Sequence, residues 1–208
     1  PFFSIQEIVT APSFDFIKSR SLDQLYGQNI FQADVKAVEK RLRLEYPAVD
    51  HLRVARRFPN RILVVAERRD PFAVISFDHQ DAAVDESGAL IGADVTAKGK
   101  LPYLTGITDV AMGHPGKPLA SWRLAVGLAI IKAVRANDAV KQYAVHSIDL
   151  TSLSQIHLRL ETVEVVLEQF DIEKKIGVLG LLLSDPAVAA DQVNYVDLRF
   201  KDPVVKKR

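Results

Sequence analysis

Three short segments in the second half of the sequence set the strongest limit on its fold. They are Val145 to Leu150, Ile156-His157-Leu158-Arg159-Leu160 and Val163-Glu164-Val165-Val166-Leu167, and the middle one alternates apolar and polar residues without a break. Side chains on a strand point to opposite faces in turn, so strict alternation requires a sheet with one face in a core and the other in water. The three segments are therefore expected as neighbouring antiparallel strands. A helix is expected on either side. Ser121 to Ala136 places Trp122, Val126, Ala129, Ile130 and Ala133 on one face, and Asp171 to Ser184 buries Ile172, Ile176, Leu179 and Leu183. A last strand, Tyr195-Val196-Asp197-Leu198-Arg199-Phe200, closes the chain.

The first third has a different rhythm. Phe3 to Val9 mixes β-branched and aromatic residues and predicts a strand that ends before Pro12. Ser13 caps a helix carrying Phe14 and Ile17, and a helical turn through Ser21, Leu22 and Leu25 stops at Gly27. Asp34 is the N-cap of a clearer helix whose stripe is Val35, Val38 and Leu42, ended by Pro47. The period then changes to two: Leu52 and Val54 alternate, Pro59-Asn60 turns the chain, and Ile62, Val64 and Ala66 alternate again, predicting a hairpin. Phe72 to Ile75 is a further strand. The chain turns polar from Asp78 to Asp81, and Val84 to Ile91 predicts a short hairpin around Ser87-Gly88, whereas Leu101 to Gly106 and Gly113 to Pro118 look irregular. The fold expected is α+β, and 208 residues suffice for two small domains, 1–75 and 76–208.

The residues argue against most kinds of chemistry. With Lys+Arg 27 against Asp+Glu 26, the net charge of +1 gives no global attraction to nucleic acid or anionic lipid, and the basic cluster Lys201, Lys206, Lys207 and Arg208 is confined to the end. No cysteine is available for disulfides, thiolate metal sites or nucleophilic catalysis. His51, His79, His114, His146 and His157 are scattered over different elements and form no metal pair with a carboxylate. Gly116-Lys117 lacks the spacing of a phosphate-binding loop, and Pro115 and Pro118 remove amide donors, so a tight turn is expected there. Asp78, Asp81, Asp85 and Glu86 lack calcium-loop spacing and are expected to be solvated. Arg53, Arg56, Arg57, Arg61, Arg68 and Arg69 make a local positive patch, but Asp50, Glu67 and Asp70 lie among them and no aromatic platform for bases accompanies them. Neither catalytic residues, cofactor, metal, nucleic acid nor small-molecule substrate is therefore expected. No apolar run reaches the roughly 20 residues that span a bilayer. A start at Pro1 instead of Met is expected of a fragment, with room upstream for a signal or an anchor.

Several landmarks resemble one family in order along the chain. Strand-helix-helix-strand-strand is the order of a POTRA module, and Gly27 to Phe31, Tyr46-Pro47-Ala48-Val49 and Arg57-Phe58-Pro59-Asn60 are similar to its recurring positions. Glu67-Arg68-Arg69-Asp70-Pro71-Phe72-Ala73 resembles the junction of FtsQ/DivIB proteins. Val84 to Gly88 resembles their Val-Asp-x-x-Gly turn, Leu101 to Gly106 their Leu-Pro-x-Leu-x-Gly, and Tyr195 to Phe200 their Tyr-Val/Ile-Asp-Leu-Arg-aromatic strand.

The resemblance implies a POTRA module followed by a mixed β domain with antiparallel strands and two helices. It also implies a single-pass protein of the cell inner membrane, with this part on the periplasmic side, that catalyses nothing. Its implied partners are FtsB/FtsL-like and other division proteins, and its implied role couples septum assembly to peptidoglycan synthesis. Tyr195, Val196, Asp197, Leu198, Arg199 and Phe200 are the implied docking strand, at which a partner adds β structure. On such an edge Val196, Leu198 and Phe200 pack on the domain while Tyr195 and Arg199 face the partner; the competing expectation is that the strand is internal to the sheet. Many family members have Gly and a basic residue where this chain has Glu168-Gln169, and its tail is short and interrupted at Pro203. The alternative function is that of a POTRA-bearing outer-membrane assembly or translocation factor.

Overall fold

The structure is a computed structural model that describes residues 2–10, 17, 19–77, 80–92, 101–111, 113–114, 116–185 and 193–207. It divides into two compact units, Pro1–Asp70 and Pro71–Arg208. The first contains β1 (Glu7–Thr10), α1 (Arg20–Asp23), α2 (Val35–Glu45), β2 (Val49–Arg57) and β3 (Arg61–Arg68). Both helices begin where a side chain takes up an N–H that the helix leaves unpaired. The Ser19 hydroxyl accepts from the Ser21 N–H at 3.1 Å, and the Asp34 carboxylate from the Ala37 N–H at 3.0 Å. The stripe Val35, Val38 and Leu42 packs on Leu52, Val54, Ile62 and Val64 of the hairpin, forming one aliphatic core. The sheet order is β1-β3-β2, with β1 parallel to β3. The helix expected after Ser13 lies outside the described residues, apart from Ile17, which is buried.

The division between units falls earlier than the expected 75/76. The reason is β4 (Ala73–Phe77), which pairs with β5 (Gln80–Val84) and β7 (Tyr103–Thr105) and so belongs to the second sheet. That unit continues through β6 (Leu90–Gly92), α3 (Trp122–Ala136), β8 (Val145–Asp149), β9 (Ile156–Leu160), β10 (Glu164–Leu167), α4 (Ile172–Ser184), β11 (Val193–Asp197) and β12 (Val204–Lys207). Among the described residues the sheet has nine strands in the order β12-β11-β10-β9-β8-β7-β4-β5-β6. The expected antiparallel neighbours β8, β9 and β10 stand together in it.

Register produces one apolar row across the sheet. Ala82, Ile75, Leu104, Ile148, Leu158, Val165, Val196 and Val205 are successive cross-strand partners. They share a core with Leu124, Ile131, Ile176 and Leu179 of α3 and α4. Two expectations fail here. Leu101 to Gly106 is not wholly irregular, because β7 sits in mid-sheet with Leu104 fully buried; three residues between Pro102 and Gly106 are too few to display a period. Trp122 and Ala129 face solvent, since α3 is buried around Leu124, Leu128 and Ile131 as well as Val126 and Ile130.

Gly106 closes β7 at φ +76°, and a Cβ there would run into the Thr151 backbone and hydroxyl. Gly27 has φ +80°, but a Cβ there meets nothing within 4 Å. Gly27→Ala is therefore expected to cost about 1 kcal/mol, the strain of the left-handed conformation alone, and Gly106→Ala about 2–4 kcal/mol because overlap adds to it. Urea titration of the two variants checks the order.

Candidate partner-binding edge

The parallel β10–β11 ladder joins Glu164 to Tyr195, Val165 to Val196 and Val166 to Asp197, and the Leu198 N–H extends it by donating to the Val166 carbonyl at 2.8 Å. On its other side β11 pairs antiparallel with β12, Val196 opposite Val205 and Asp197 opposite Val204. The expected closing strand is therefore corrected in two ways. It stops at Asp197 instead of Phe200, and it is internal: the sheet ends at β12. Pro203 and the brevity of Val204-Val205 hid that edge, although two consecutive β-branched residues after a proline were its one available signal.

Asp197 ends the strand by chemistry. Its buried carboxylate accepts the Arg199 N–H at 3.0 Å, the turn habit of aspartate two residues ahead of an amide. The Arg199 guanidinium adds Nη2 to Oδ2 at 2.7 Å and Nε to Oδ1 at 3.0 Å, and the Tyr195 hydroxyl donates to Oδ2 at 3.4 Å. Hydrogen bonding from Arg199 holds the Asp197 carboxyl below its ordinary range, while burial, reinforced by the Asp197 charge, pushes the Tyr195 phenol up. Val196 and Leu198 are buried in the core as expected. Phe200 is not: beyond the turn strand alternation no longer applies, and the ring is 59% exposed, with the Arg199 guanidinium 5.5 Å from its centroid.

A shallow pocket of about 220 Å³ lies beside this turn, lined by Glu168, Lys174, Arg199, Phe200, Lys201 and Pro203 among others. Lys175 donates to Glu168 at 2.6 Å, and Gln169 accepts from the Trp122 indole at 2.8 Å, so the Glu168-Gln169 pair is built into the surroundings of α4 and α3.

The sheet edges differ in what covers them. At the far end β6 is bonded by the loop ahead of α3, Leu90 N–H to the Lys117 carbonyl and Gly116 N–H to the Leu90 carbonyl. In the first unit, side chains of α2 cap β2: Glu39 accepts from the Val54 N–H at 3.1 Å and Arg43 donates to the Leu52 carbonyl at 2.7 Å. At β12, among the described residues, Val204, Val205 and Lys206 make no backbone hydrogen bond outside the β11 ladder.

The other candidates are drawn into local structure. Arg56 donates to the Ile30 and Ala33 carbonyls, Arg61 pairs with Glu7 and Arg69 with Asp50, which leaves less of the arginine patch available than its sequence promised. His157 pairs with Glu164 at 2.8 Å. Among the described residues no group of three or more His, Asp or Glu is placed to hold a metal. His79 and Pro115 lie outside the described residues.

A family model of the FtsQ-type POTRA domain matches residues 15–68, and one of the FtsQ/DivIB C-terminal region matches residues 73–199. The chain belongs to the FtsQ/DivIB family of cell division proteins. It is similar to cell division protein DivIB of Clostridium tetani, 22% identical over 215 residues covering 99% of this chain and 80% of that protein. It is also similar to cell division protein FtsQ of Hirschia baltica, 33% identical over 79 residues covering 38% and 27%. Membership of the FtsQ/DivIB family gives the chain a division role and displaces the outer-membrane assembly reading. No helix among the described residues is long and apolar enough to cross a membrane.

A carboxyl depressed on folding stabilises the native state above its ordinary value, 3.8 for Asp197, and that contribution is lost as pH falls through the lower folded value. Asp197→Asn is expected to cost about 1.5–3 kcal/mol at neutral pH, the range for hydrogen bonds to a charged group. The gap from wild type narrows as pH falls below 3.8. Denaturant titrations at neutral and acid pH measure both.

Proposed function

We propose that this chain is a non-enzymatic scaffold of the division complex that binds FtsB/FtsL-type partners at the C-terminal edge of its sheet, and so helps couple septum assembly to peptidoglycan synthesis. One observation carries the reading: among the described residues, Val204 to Lys206 of the terminal strand β12 make no backbone hydrogen bond beyond the β11 ladder, whereas β6 and β2 are capped. Unpaired N–H and C=O groups on an edge accept another strand, and side chains alongside select which one. Phe200 and Val204 supply exposed apolar contact next to that edge, and Arg199, Lys201 and Lys206 give it a cationic rim suited to an acidic partner segment. In this reading β11 acts indirectly: Tyr195, Val196, Asp197 and Leu198 hold the turn and the edge in place, and Arg199 and Phe200 touch the partner. A single membrane-spanning segment upstream of Pro1 anchors the chain in the inner membrane, with both units on the periplasmic side. Membership of a division family supports this placement.

Phe200→Ala removes an exposed ring with no packing role in the core, so thermal stability is expected to stay unchanged. Affinity for the extracytoplasmic segment of the cognate FtsB-like protein is expected to fall by about tenfold or more, as for a truncated aromatic anchor. Calorimetric titration decides it, and an unchanged affinity in the folded variant rules out this edge.

A further inference from the structure

The first unit carries a cluster of phenylalanines that its own core does not use. Phe2, Phe3, Phe31 and Phe58 are 74%, 42%, 58% and 58% exposed. Their rings form a continuous chain, with centroids 5.3 Å apart from Phe2 to Phe3, 5.3 Å from Phe3 to Phe31 and 5.2 Å from Phe31 to Phe58. The buried core beneath is aliphatic and, among the described residues, contains no phenylalanine. Rings clustered edge to face and left in water on one patch cost solvation without contributing to the core, which marks a surface that is covered in use.

Three segments meet at this end of the unit. The stretch leading into β1 is bonded to the loop before α2, Ile30 N–H to the Phe3 carbonyl and Gly27 N–H to the Ile5 carbonyl, and to the hairpin turn, Gln6 N–H to the Asn60 carbonyl. The charge here is cationic. Arg57 is exposed next to Phe58, and Arg56 lies across the carbonyls that flank Phe31. The carboxylates on the same segments are engaged, Glu7 by Arg61 at 2.7 Å and Asp34 by the Ala37 N–H. Aromatic rings bordered by arginine suit the boundary between headgroups and acyl chains of an anionic bilayer, where the rings lose water and the guanidinium groups meet phosphate.

We propose that this aromatic end of the first unit rests in the membrane surface, with Phe31 and Phe58 inserted at the headgroup level. The inference rests on the anchored reading above, in which a membrane segment upstream of Pro1 holds the chain at the bilayer. A contact too weak to hold a free protein then suffices, because the anchor supplies a high local concentration. The consequence is a fixed orientation: the first unit stands on the bilayer by its aromatic end instead of swinging on its anchor.

The test uses the 208-residue chain, tethered by an N-terminal histidine tag to vesicles of phosphatidylglycerol, nickel-chelating lipid and dibrominated phosphatidylcholine. The single native tryptophan is removed by Trp122→Phe, and a reporter is placed by Phe31→Trp or, as control, by Leu44→Trp. Leu44 is exposed near the far end of α2, a helix that rises about 1.5 Å per residue away from the patch. The expected result is strong bromine quenching and a blue shift for Phe31→Trp, neither for Leu44→Trp, and loss of the Phe31→Trp signal on adding Phe58→Ser. Equal quenching of the two reporters, or none of either, overturns the proposal. So does self-association of the untethered chain that Phe31→Ser abolishes, which would make the patch a contact between copies. No division partner is present in the assay, so its failure leaves the scaffold reading standing, and loss of partner binding leaves this one standing.

Discussion

One line of apolar side chains organises the second unit. From Ala82 through Leu104 and Leu158 to Val205, the row runs from strand to strand by register and faces α3 and α4 throughout. Because strand side chains alternate, fixing Val196 in that row sends Tyr195 and Asp197 to the opposite face. A one-residue slip would place a carboxylate in the core. The register of the last two strands is therefore set by packing, and the Asp197–Arg199 contact then turns the chain so that β12 can return along β11.

That return determines what the sheet offers to other molecules. Edges are hazards as well as binding sites, and among the described residues β2 and β6 are covered while Val204 to Lys206 of β12 are not. The α2 side chains Glu39 and Arg43 occupy the backbone of β2, and residues 116–117 occupy that of β6. The open backbone of Val204 to Lys206, beside exposed Phe200 and Val204, fits the docking role proposed for this member of a cell division family. The aromatic end of the first unit follows the same logic in another chemistry, since its rings contact one another and stay exposed beside an aliphatic core.

Much of this was legible in the sequence where a local rule and the tertiary demand agreed. Asp34 as a cap, the Val35-Val38-Leu42 stripe and the alternation of Ile156 to Leu160 each appear as read, because capping and periodicity are properties of the segment itself. Legibility failed where pairing decided. β7 owes its strand state to neighbours on both sides, β4 belongs to the second unit because of partners later in the chain, and Trp122 lies on the solvent side of α3 because both flanks of the helix face are buried. The candidate site suffered most. Its motif, Tyr195 to Phe200, was visible, but whether that strand was an edge depended on Val204 to Lys207, a segment that reads as a charged tail until β11 gives it a template.

Amide hydrogen exchange of the chain, alone and saturated with the cognate FtsB-like segment, tests the account at its centre. With β12 as the docking edge, amides of 193–197 exchange slowly in both states, because β11 is already paired on both sides, while those of 204–206 slow markedly on binding. Binding without protection at 204–206, or with new protection confined to β6 or to the β2–β3 hairpin, would contradict it.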